Sequence, residues 1–293
     1  MDRTDTTRVP TGIELYTIAA HRASKEVIYS YSTSFGAATR LLPKQLRHHI
    51  ENIYAMVRVA DEIVDGSARE AGVSNPEVDL DSFEAETYRA MERGFSTNLI
   101  LHSFAITARE VGIGKDIVQP FFFSMRQDLT QTEHDQASFE RYVYGSAEVV
   151  GLMCLAAFVH GHSYSKEEKK KLVLGARALG SAFQKVNFLR DLQADFARLG
   201  RSYFPGVNVD SFDEATKLRL TKDIENDLRV SADSLPLLPR LARTAVLAAL
   251  LLFGELNRKI GNTSAKDLIN TRISVSNIAK LALLVRALLG VKP

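Results

Sequence analysis

Apolar residues recur every three or four positions along almost the whole chain, which is the period of an amphipathic α-helix. The strict alternation typical of a half-buried strand is scarce. Proline and glycine interrupt the helical pattern at sites such as Leu42-Pro43, Gly66 and Pro205-Gly206, where helices begin or end. The pattern therefore predicts an all-α protein, with helices near residues 13–31, 44–66, 81–110, 114–130, 136–162, 166–199, 213–234, 240–261 and 265–290.

The second of these helices carries a polar stripe in and just before the segment VRVADEIVDG. Tyr54, Arg58, Asp61 and Asp65 follow one another at helical spacing and share one face, while most other positions are apolar. Like charges one turn apart repel, and carboxylates are seldom buried without a partner. The stripe predicts a cation site, although an ordinary ion pair between Arg58 and Asp61 explains part of it equally well.

A second stripe lies in residues 180–205, on a helix whose other faces are apolar. Amides and carboxylates recur there at helical spacing, and arginines suited to phosphate lie beside them: Gln184, Asn187, Asp191 and Asp195, with Arg190, Arg198 and Arg201. If the two helices face each other, their four aspartates form an oxygen-rich pocket that repels itself when empty and is satisfied by Mg²⁺. Because Mg²⁺ usually keeps few protein ligands, diphosphate oxygens are expected to complete its shell.

These blocks resemble the squalene and phytoene synthase family of head-to-head prenyl transferases. The resemblance rests on YAMVRVADEIVDG and FQKVNFLRDLQADFARLGRSYFP, with SYSTSFGAATRLLP before them and RQDL and FERYVYGSAEVVGLM between them. The resemblance runs from about Ser32 to Pro205. Within the family, these blocks are most similar to those of bacterial phytoene synthases. The resemblance implies a single-domain isoprenoid-synthase helical bundle with a central cavity, over residues 13–293, behind a flexible tail of residues 1–12.

The resemblance also implies roles for individual residues. Mg²⁺, or Mn²⁺, and the substrate diphosphates would be held by Asp61, Asp65, Asn187, Asp191 and Asp195. Tyr54 and Arg58 would join the aspartates as catalytic residues. The remaining substrate contacts implied are Ser32, Ser34, Phe35, Tyr142, Gln184, Asn187, Arg190, Arg201 and Tyr203.

Two positions depart from the family's pattern. Relatives often have a basic residue inside the STSF-like block, where this chain has Thr33, so Ser32 and Ser34 are left to donate hydrogen bonds or simply to end a helix. Many relatives have Gly-Glu before the last acid of the second motif, where this chain reads DLQAD. Asp195 is therefore the predicted ligand rather than the residues just before it.

The reaction implied by the resemblance starts when one allylic diphosphate ionises. Its carbocation attacks the double bond of a second substrate and gives a cyclopropyl diphosphate. A second ionisation, rearrangement and proton loss would yield phytoene from two geranylgeranyl diphosphates. The alternative is condensation of two farnesyl diphosphates, which would give dehydrosqualene or, with hydride from NADPH, squalene. Residues 112–114 lack the third glycine and preceding strand of a dinucleotide site, so no NADPH is expected.

The segment RYVYGSAEVVGLM has two interpretations. Tyr142 and Tyr144 offer aromatic faces to a carbocation. Gly145 and Gly151 leave room for prenyl chains or, as the favoured interpretation, for helix packing. The consecutive aromatic residues Phe121, Phe122 and Phe123 are equally consistent with a packed core and with the wall of a tunnel.

Composition argues against several other classes. A net charge of +2 without a basic and aromatic cluster predicts no nucleic-acid partner. The single cysteine, Cys154, and the lack of an export signal favour a cytoplasmic setting. No histidine pair has zinc spacing. A non-catalytic helical lipid-binding or assembly protein stays open as a different class, but it should have lost the motif aspartates.

The C-terminal segment RISVSNIAKLALLVRALLGVKP joins an apolar face to four basic residues. Such a helix is typical of peripheral contact with a membrane, here the inner face of the cytoplasmic membrane. A terminal core helix explains the pattern equally well. The oligomeric state is left open by the sequence.

Overall fold

The structure is a computed structural model that describes residues 9–199, 202–207 and 211–291, with the backbone only for residues 33–34 and 193–199. These residues form helices and no named strand, apart from an isolated bridge between Glu133 and Ser202. The all-α prediction is confirmed. The helices are α1 (Gly12–Tyr31), α2 (Thr33–Thr39), α3 (Lys44–Val64), α4 (Ser67–Glu70), α5 (Pro76–Arg93), α6 (Leu99–Val111), α7 (Lys115–Thr130), α8 (Gln136–Val143), α9 (Val149–Val159), α10 (Lys166–Leu199), α11 (Glu214–Ser234), α12 (Arg240–Asn262), α13 (Ala265–Leu268) and α14 (Asn277–Leu288).

Two helices predicted as continuous are divided in the structure. The segment 81–110 breaks because Gly94 ends α5 with φ +74°, and Asn98 then caps α6 by accepting from two backbone N–H groups. The segment 265–290 breaks between α13 and α14, where Ser276 caps the second helix. The prediction of continuity was wrong because apolar periodicity persists across both breaks, whereas the stop signals are single residues.

The segment predicted as one helix over 136–162 contains a π-helical turn, Tyr144–Glu148, between α8 and α9. A side chain at Gly145 would place its Cβ 2.2 Å from the Pro120 carbonyl oxygen of α7. At Gly151 the Cβ would lie 2.4 Å from the Ala176 carbonyl oxygen of α10. The backbones therefore touch at both glycines, which supports the helix-packing interpretation of these residues.

This same stretch, Gln136–Val159, is long and apolar enough to cross a bilayer by length and composition alone. About half of its most apolar window, 44%, is buried inside the protein. Since its backbone is in contact with α7 and α10, the stretch is packed here as an internal element of the bundle.

Two apolar clusters build the core. One is formed mainly by α3, α5, α6, α7 and α9, and includes Met56, Phe104 and Phe121. The other is formed mainly by α8 and by α10 to α14, and includes Leu189 and Leu250. Residues of both clusters line the same internal cavity, so the interior of the bundle opens between them.

Candidate active site

A cavity of about 900 Å³ opens between the C-terminal half of α3, the α8 region and the middle of α10. We call it the polar chamber. The structure brings both polar stripes to its wall, although they lie far apart in sequence. The predicted site residues that line it are Tyr54, Arg58, Asp61, Asp65, Tyr142, Gln184, Asn187, Arg190, Asp191 and Tyr203.

The other predicted residues lie elsewhere. Ser32 caps α2 by accepting from the Phe35 backbone N–H at 3.1 Å, and it hydrogen-bonds to the Tyr54 hydroxyl. The Phe35 ring stacks on Tyr54 with centroids 5.9 Å apart and faces a second, apolar cavity. The positions outside the described side chains are Ser34, Asp195 and Arg201.

On the α3 side of the polar chamber, one arginine holds two carboxylates. Arg58 Nη1 lies 2.5 Å from Asp61 Oδ2, its Nη2 bonds to Glu62, and its guanidinium covers the Tyr31 ring at 4.4 Å. Glu62 also accepts from the backbone N–H and hydroxyl of Ser67. Burial opposes ionisation of Glu62, but these hydrogen bonds and the Arg58 charge hold its pKa below the usual value. The ion pair between Arg58 and Asp61 that the sequence left open is therefore present, inside the chamber wall.

On the α10 side, two arginines converge on one carboxylate. Arg190 Nη2 lies 2.5 Å from Asp191 Oδ2, and Arg272 Nε lies 2.8 Å from Asp191 Oδ1. Arg272 lies in the loop before α14, not in the continuous helix over residues 265–290 that the sequence pattern predicts. No local spacing relates it to Asp191, so sequence reasoning missed it as a chamber residue.

A stack of aromatic rings forms another part of the chamber wall. Phe188 and Tyr203 lie nearly parallel with centroids 4.0 Å apart, and Tyr142 stacks on Tyr203 at 5.5 Å. The Tyr142 hydroxyl donates to Asp128 Oδ1 at 2.7 Å. Burial, followed by the Asp128 charge, raises the pKa of Tyr142 well above its usual value. The phenol is thus kept neutral and its ring is packed among His134, Phe188 and Tyr203 in the chamber wall.

A second cavity, of about 260 Å³, adjoins the chamber and is lined almost entirely by apolar or small side chains. We call it the apolar tunnel. The single cysteine, Cys154, lies in its wall, and burial raises the pKa of that thiol to about 12. The residues that line both cavities, and so mark their junction, are Tyr54, Val57, Ser146, Gln184 and Asn187.

The family model described as "Squalene/phytoene synthase" matches residues 28–279. The chain belongs to this family. It is a prenyltransferase, which joins two prenyl diphosphates head to head in a reaction of the phytoene or dehydrosqualene synthase type. The resemblance identified from the two aspartate motifs is confirmed.

Individual relatives of this synthase cover most of its length. The 15-cis-phytoene synthase of Paracoccus sp. (strain N81106 / MBIC 01143) is 29% identical over 283 residues, 89% of this chain and 88% of that protein. The 4,4'-diapophytoene synthase of Staphylococcus haemolyticus is 27% identical over 204 residues, 69% of this chain and 66% of that protein. A crystal structure of a dehydrosqualene synthase in complex with ligand has a TM-score of 0.77 at 21% identity, covering 95% and 98% of the two chains. The predicted isoprenoid-synthase fold is confirmed.

The donor set of the synthase's polar chamber fits a magnesium ion that is shared with substrate. Within the part of the chain that the structure describes, no three acidic, histidine or cysteine side chains gather into a cluster that could hold a metal alone. Asp61, Asp65, Asp191 and Asn187 instead present separate oxygen donors around the chamber. Such a sparse oxygen set suits Mg²⁺, which is usually bound through one or two carboxylates and substrate phosphates.

Two buried donors of the chamber also lack a protein acceptor. Among the described residues, neither Arg58 Nε nor Ser146 Oγ has a hydrogen-bond partner. A buried polar atom left unpaired is costly unless a ligand satisfies it. Both atoms belong to residues of the chamber wall, so an anionic ligand there has donors available.

Proposed function

We propose that this synthase condenses two geranylgeranyl diphosphates into phytoene, with Mg²⁺ or Mn²⁺ and without NADPH. The observation that carries the proposal is the junction of a charged chamber with an apolar tunnel. An allylic diphosphate has the same two parts, a polyanionic head and a hydrocarbon tail. The names of the phytoene synthase relatives support the proposal.

The spacing of tunnel-lining residues along α10 supports the longer substrate. Leu172 and Asn187 both line it, and they lie about 22 Å apart along the axis of α10 at a rise of ~1.5 Å per residue. With single bonds near ~1.5 Å, an extended chain advances roughly 1.25 Å per carbon, so the main chain of a C20 prenyl group spans roughly 20 Å and that of a C15 group roughly 15 Å. The separation of these two lining residues along α10 supports geranylgeranyl rather than farnesyl as the prenyl group.

The chamber residues would bind and orient the diphosphates. Arg58, Arg190 and Arg272 would exchange part of their carboxylate contacts for phosphate oxygens, and the Ser146 hydroxyl would donate at the tunnel mouth. Mg²⁺ would be held by Asp61, Asp65, Asn187 and Asp191, together with Asp195 from outside the described side chains. When bound, the ion neutralises the charge of a leaving diphosphate.

The aromatic wall and the tunnel would protect the cationic species. Tyr142, Tyr203 and Phe188 form a stack of rings that lines the chamber next to the proposed diphosphate site, and their π electrons would stabilise an allylic cation formed there. The tunnel wall excludes water from the prenyl chain, so the cation reacts with the second double bond rather than with water. Loss of two protons in all, one at each stage, balances the conversion to phytoene and two diphosphates.

One observation favours farnesyl diphosphate as the alternative substrate. The 27% identical relative from Staphylococcus haemolyticus is named 4,4'-diapophytoene synthase, which makes two farnesyl diphosphates the alternative pair. Farnesyl chains would leave the far end of the tunnel near Leu172 empty. The two possibilities differ in the chain length accepted and not in the chemistry of the chamber.

The test is incubation of the purified full chain with C15 and C20 prenyl diphosphates, each with Mg²⁺, with excess chelator, and with or without NADPH. We expect phytoene from the C20 substrate, no turnover with chelator, and no change of product with NADPH. Preferential formation of dehydrosqualene from the C15 substrate would establish the alternative. Turnover that persists after complete metal removal would contradict the assignment of the aspartates.

A further inference from the structure

Glu62 lies in the segment ADEIVDG, between the two aspartates Asp61 and Asp65. Both of its carboxylate oxygens are engaged by the protein. Oε1 accepts from Arg58 Nη2, and Oε2 accepts from the Ser67 backbone N–H at 2.7 Å and from the Ser67 hydroxyl at 2.5 Å. Because a metal ligand must offer an oxygen lone pair, a cation could bind Glu62 only by displacing these donors. Glu62 is therefore an anchored partner of Arg58 rather than a ligand for the chamber cation.

The turn after α3 fixes the position of the Glu62 carboxylate. Ser67 is the first residue of α4, and its N–H and hydroxyl hold the carboxylate at this turn. A Cβ added at Gly66 would lie 2.2 Å from Glu62 Oε2, so the carboxylate occupies the space that a side chain there would need. The Glu62 side chain is 16% exposed, against 36% for Asp61. Glu62 is thus a fixed acceptor in the chamber wall, whereas Asp61 is more open to the chamber.

Arg58 is shared between these two acids, with one terminal nitrogen on each. If Asp61 binds Mg²⁺, it can no longer neutralise Arg58 to the same extent. The guanidinium is only 32% exposed, and an unpaired charge at such a position is costly, so it then needs another carboxylate. Glu62 is that carboxylate, since it already contacts the second terminal nitrogen of Arg58.

We propose that Glu62 is a positioning residue that retains Arg58, so that Asp61 is released to bind the metal ion. Without the Glu62 charge, Arg58 would pair with Asp61 alone and would compete with the metal for that carboxylate. This role rests on the proposed function, because it takes Asp61 to be a metal ligand. The three acids of the segment then differ in role: Asp61 and Asp65 serve the metal, and Glu62 serves the arginine.

The role of Glu62 is tested by equilibrium dialysis of Mn²⁺ against the full chain, with inorganic diphosphate at a fixed concentration and without prenyl substrate. Glu62→Gln removes the charge and keeps the shape of the side chain. We expect it to raise the Kd for Mn²⁺ by roughly tenfold, because the metal must then displace the last carboxylate partner of Arg58. The affinity for diphosphate without metal, measured by calorimetry, should not fall, since the arginines are kept and one negative charge is removed. Weaker binding of both ligands would indicate a general distortion of the chamber and would overturn the proposal.

Two matched controls separate this role from a change of net charge and from loss of an ion pair. Glu70→Gln removes another carboxylate of the chamber wall and should raise the Kd for Mn²⁺ less than Glu62→Gln does. Glu86→Gln removes a carboxylate of α5 that, like Glu62, accepts from an arginine and from a serine hydroxyl. This variant should bind Mn²⁺ like the unmodified protein. Equal effects of E62Q and E70Q would mean that net charge alone matters, which would refute the role of Glu62.

A double-mutant cycle with Arg58 gives the sharpest distinction. In the Arg58→Gln background no guanidinium competes for Asp61, so the further change Glu62→Gln should leave the Kd for Mn²⁺ nearly unchanged. An effect of the Glu62 charge through space would persist in that background. The same rise in Kd with and without Arg58 would therefore contradict the proposal.

Gly66→Ala is an independent variant that changes no charge. Its Cβ would displace the Glu62 carboxylate, so the Kd for Mn²⁺ should rise in the same direction as in E62Q. The control is Gly254→Ala on α12, where an added Cβ would meet nothing within 4 Å beyond its own helix among the described residues. Circular dichroism and thermal unfolding verify that each variant is folded. An unchanged Kd in a folded G66A protein would count against an anchored Glu62.

Asp61→Asn distinguishes failure of this role from failure of the proposed function. If D61N binds Mn²⁺ as tightly as the unmodified protein, the metal assignment of the proposed function is wrong, and the role of Glu62 is overturned with it. If D61N binds Mn²⁺ weakly and E62Q binds it normally, only the role of Glu62 is refuted. Weak binding in D61N, an intermediate Kd in E62Q and no effect of E62Q without Arg58 would establish the proposal.

Discussion

The polar chamber and the apolar tunnel are built partly from the same helices, yet their walls have opposite chemistry. On α10, Asn187 and Asp191 face the chamber, while Leu172 and Gly175 face the tunnel. The change occurs near Gln184, which lines both cavities. One continuous helix therefore supplies a polar and an apolar section in sequence order. This order would orient an amphiphilic substrate, because a diphosphate would be desolvated without partners in the tunnel and a prenyl chain would lose its apolar contacts in the chamber.

The two cavities also differ in how their walls are stabilised. Carboxylates of the chamber are paired with arginines, as Asp61 is with Arg58, since unpaired charges would be costly at partly buried positions. The tunnel needs no such pairing. Its close contacts are between backbones at Gly151 and Gly180, where added Cβ atoms would lie 2.4 Å from carbonyl oxygens. Substitutions in the chamber should therefore affect chemistry most, and those in the tunnel should affect chain-length preference.

The largest effect is expected from removing a chamber carboxylate. Asp61→Asn or Asp191→Asn keeps the side-chain shape but removes the charge needed to hold Mg²⁺, so kcat/KM should fall by roughly a thousandfold or more. Product formation from C20 diphosphate is the measurement, with circular dichroism to confirm folding. Asp233→Asn, at an exposed position of α11, is the control and should be nearly fully active. Near-normal activity of D61N or D191N would contradict the metal assignment.

A smaller loss of activity is expected when Arg272, which only the tertiary structure brings to the chamber, is replaced. Arg272→Gln leaves Asp191 with Arg190 alone and removes one diphosphate donor, so kcat/KM should fall by roughly tenfold to a hundredfold. The exposed Arg240 on α12 provides the control Arg240→Gln. If both variants retain the same activity, Arg272 does not contact the diphosphate.

Substitutions in the tunnel wall are expected to change the preference between C20 and C15 substrates. Leu172→Phe should shorten its far end, and the ratio of kcat/KM for C20 over C15 diphosphate should fall by roughly tenfold. Leu235→Phe adds the same volume at another buried position that does not line the tunnel, and should lower stability by about 1–3 kcal/mol without changing the ratio. An unchanged ratio in L172F would show that the tunnel does not measure chain length.

The smallest effect is expected from His48 of α3, which lines neither the chamber nor the tunnel. Burial and the nearby charge of His21, with Lys44, Arg47 and His49, lower the pKa of His48 from 6.5 to about 4. Folding thus favours neutral His48, so its contribution to stability is full above pH 6.5 and is lost as the pH falls toward about 4.

We therefore expect His48→Gln to reduce the stability lost between about pH 7 and about pH 5 by on the order of 1 kcal/mol, because the ring is partly exposed to solvent. Urea unfolding at the two pH values measures the difference. His162→Gln, at an exposed position, should leave the pH dependence as it is. A pH dependence equal in both variants would exclude His48 as its source.

Much of the chamber could be predicted from local sequence because its two main walls are single helices. Helical spacing placed Arg58 and Asp61 on one face of α3 and Asn187 and Asp191 on one face of α10, and these residues do line the chamber. The break after Gly94 was missed, since one glycine is a weak signal within a strongly periodic segment.

Residues that act through long-range contacts were beyond sequence reasoning. No helical spacing relates Asp128 to Tyr142, and the hydrogen bond between them depends on how α7 packs against α8. Of the three consecutive phenylalanines, Phe121 and Phe122 are fully buried while Phe123 is 51% exposed. Their helix carries apolar residues on several faces, so only packing decides which ring is inside.

The sequence by itself determined that the protein is helical, where its two aspartate stripes lie and which family it belongs to, because a helix converts spacing along the chain directly into a shared face. Tertiary structure decided that Arg272 meets Asp191, that the chamber opens into a tunnel, and that α14 keeps its apolar face outside. Those features depend on the relative positions of helices distant in sequence. Their positions are set by packing of the whole core, which no local pattern of residues encodes.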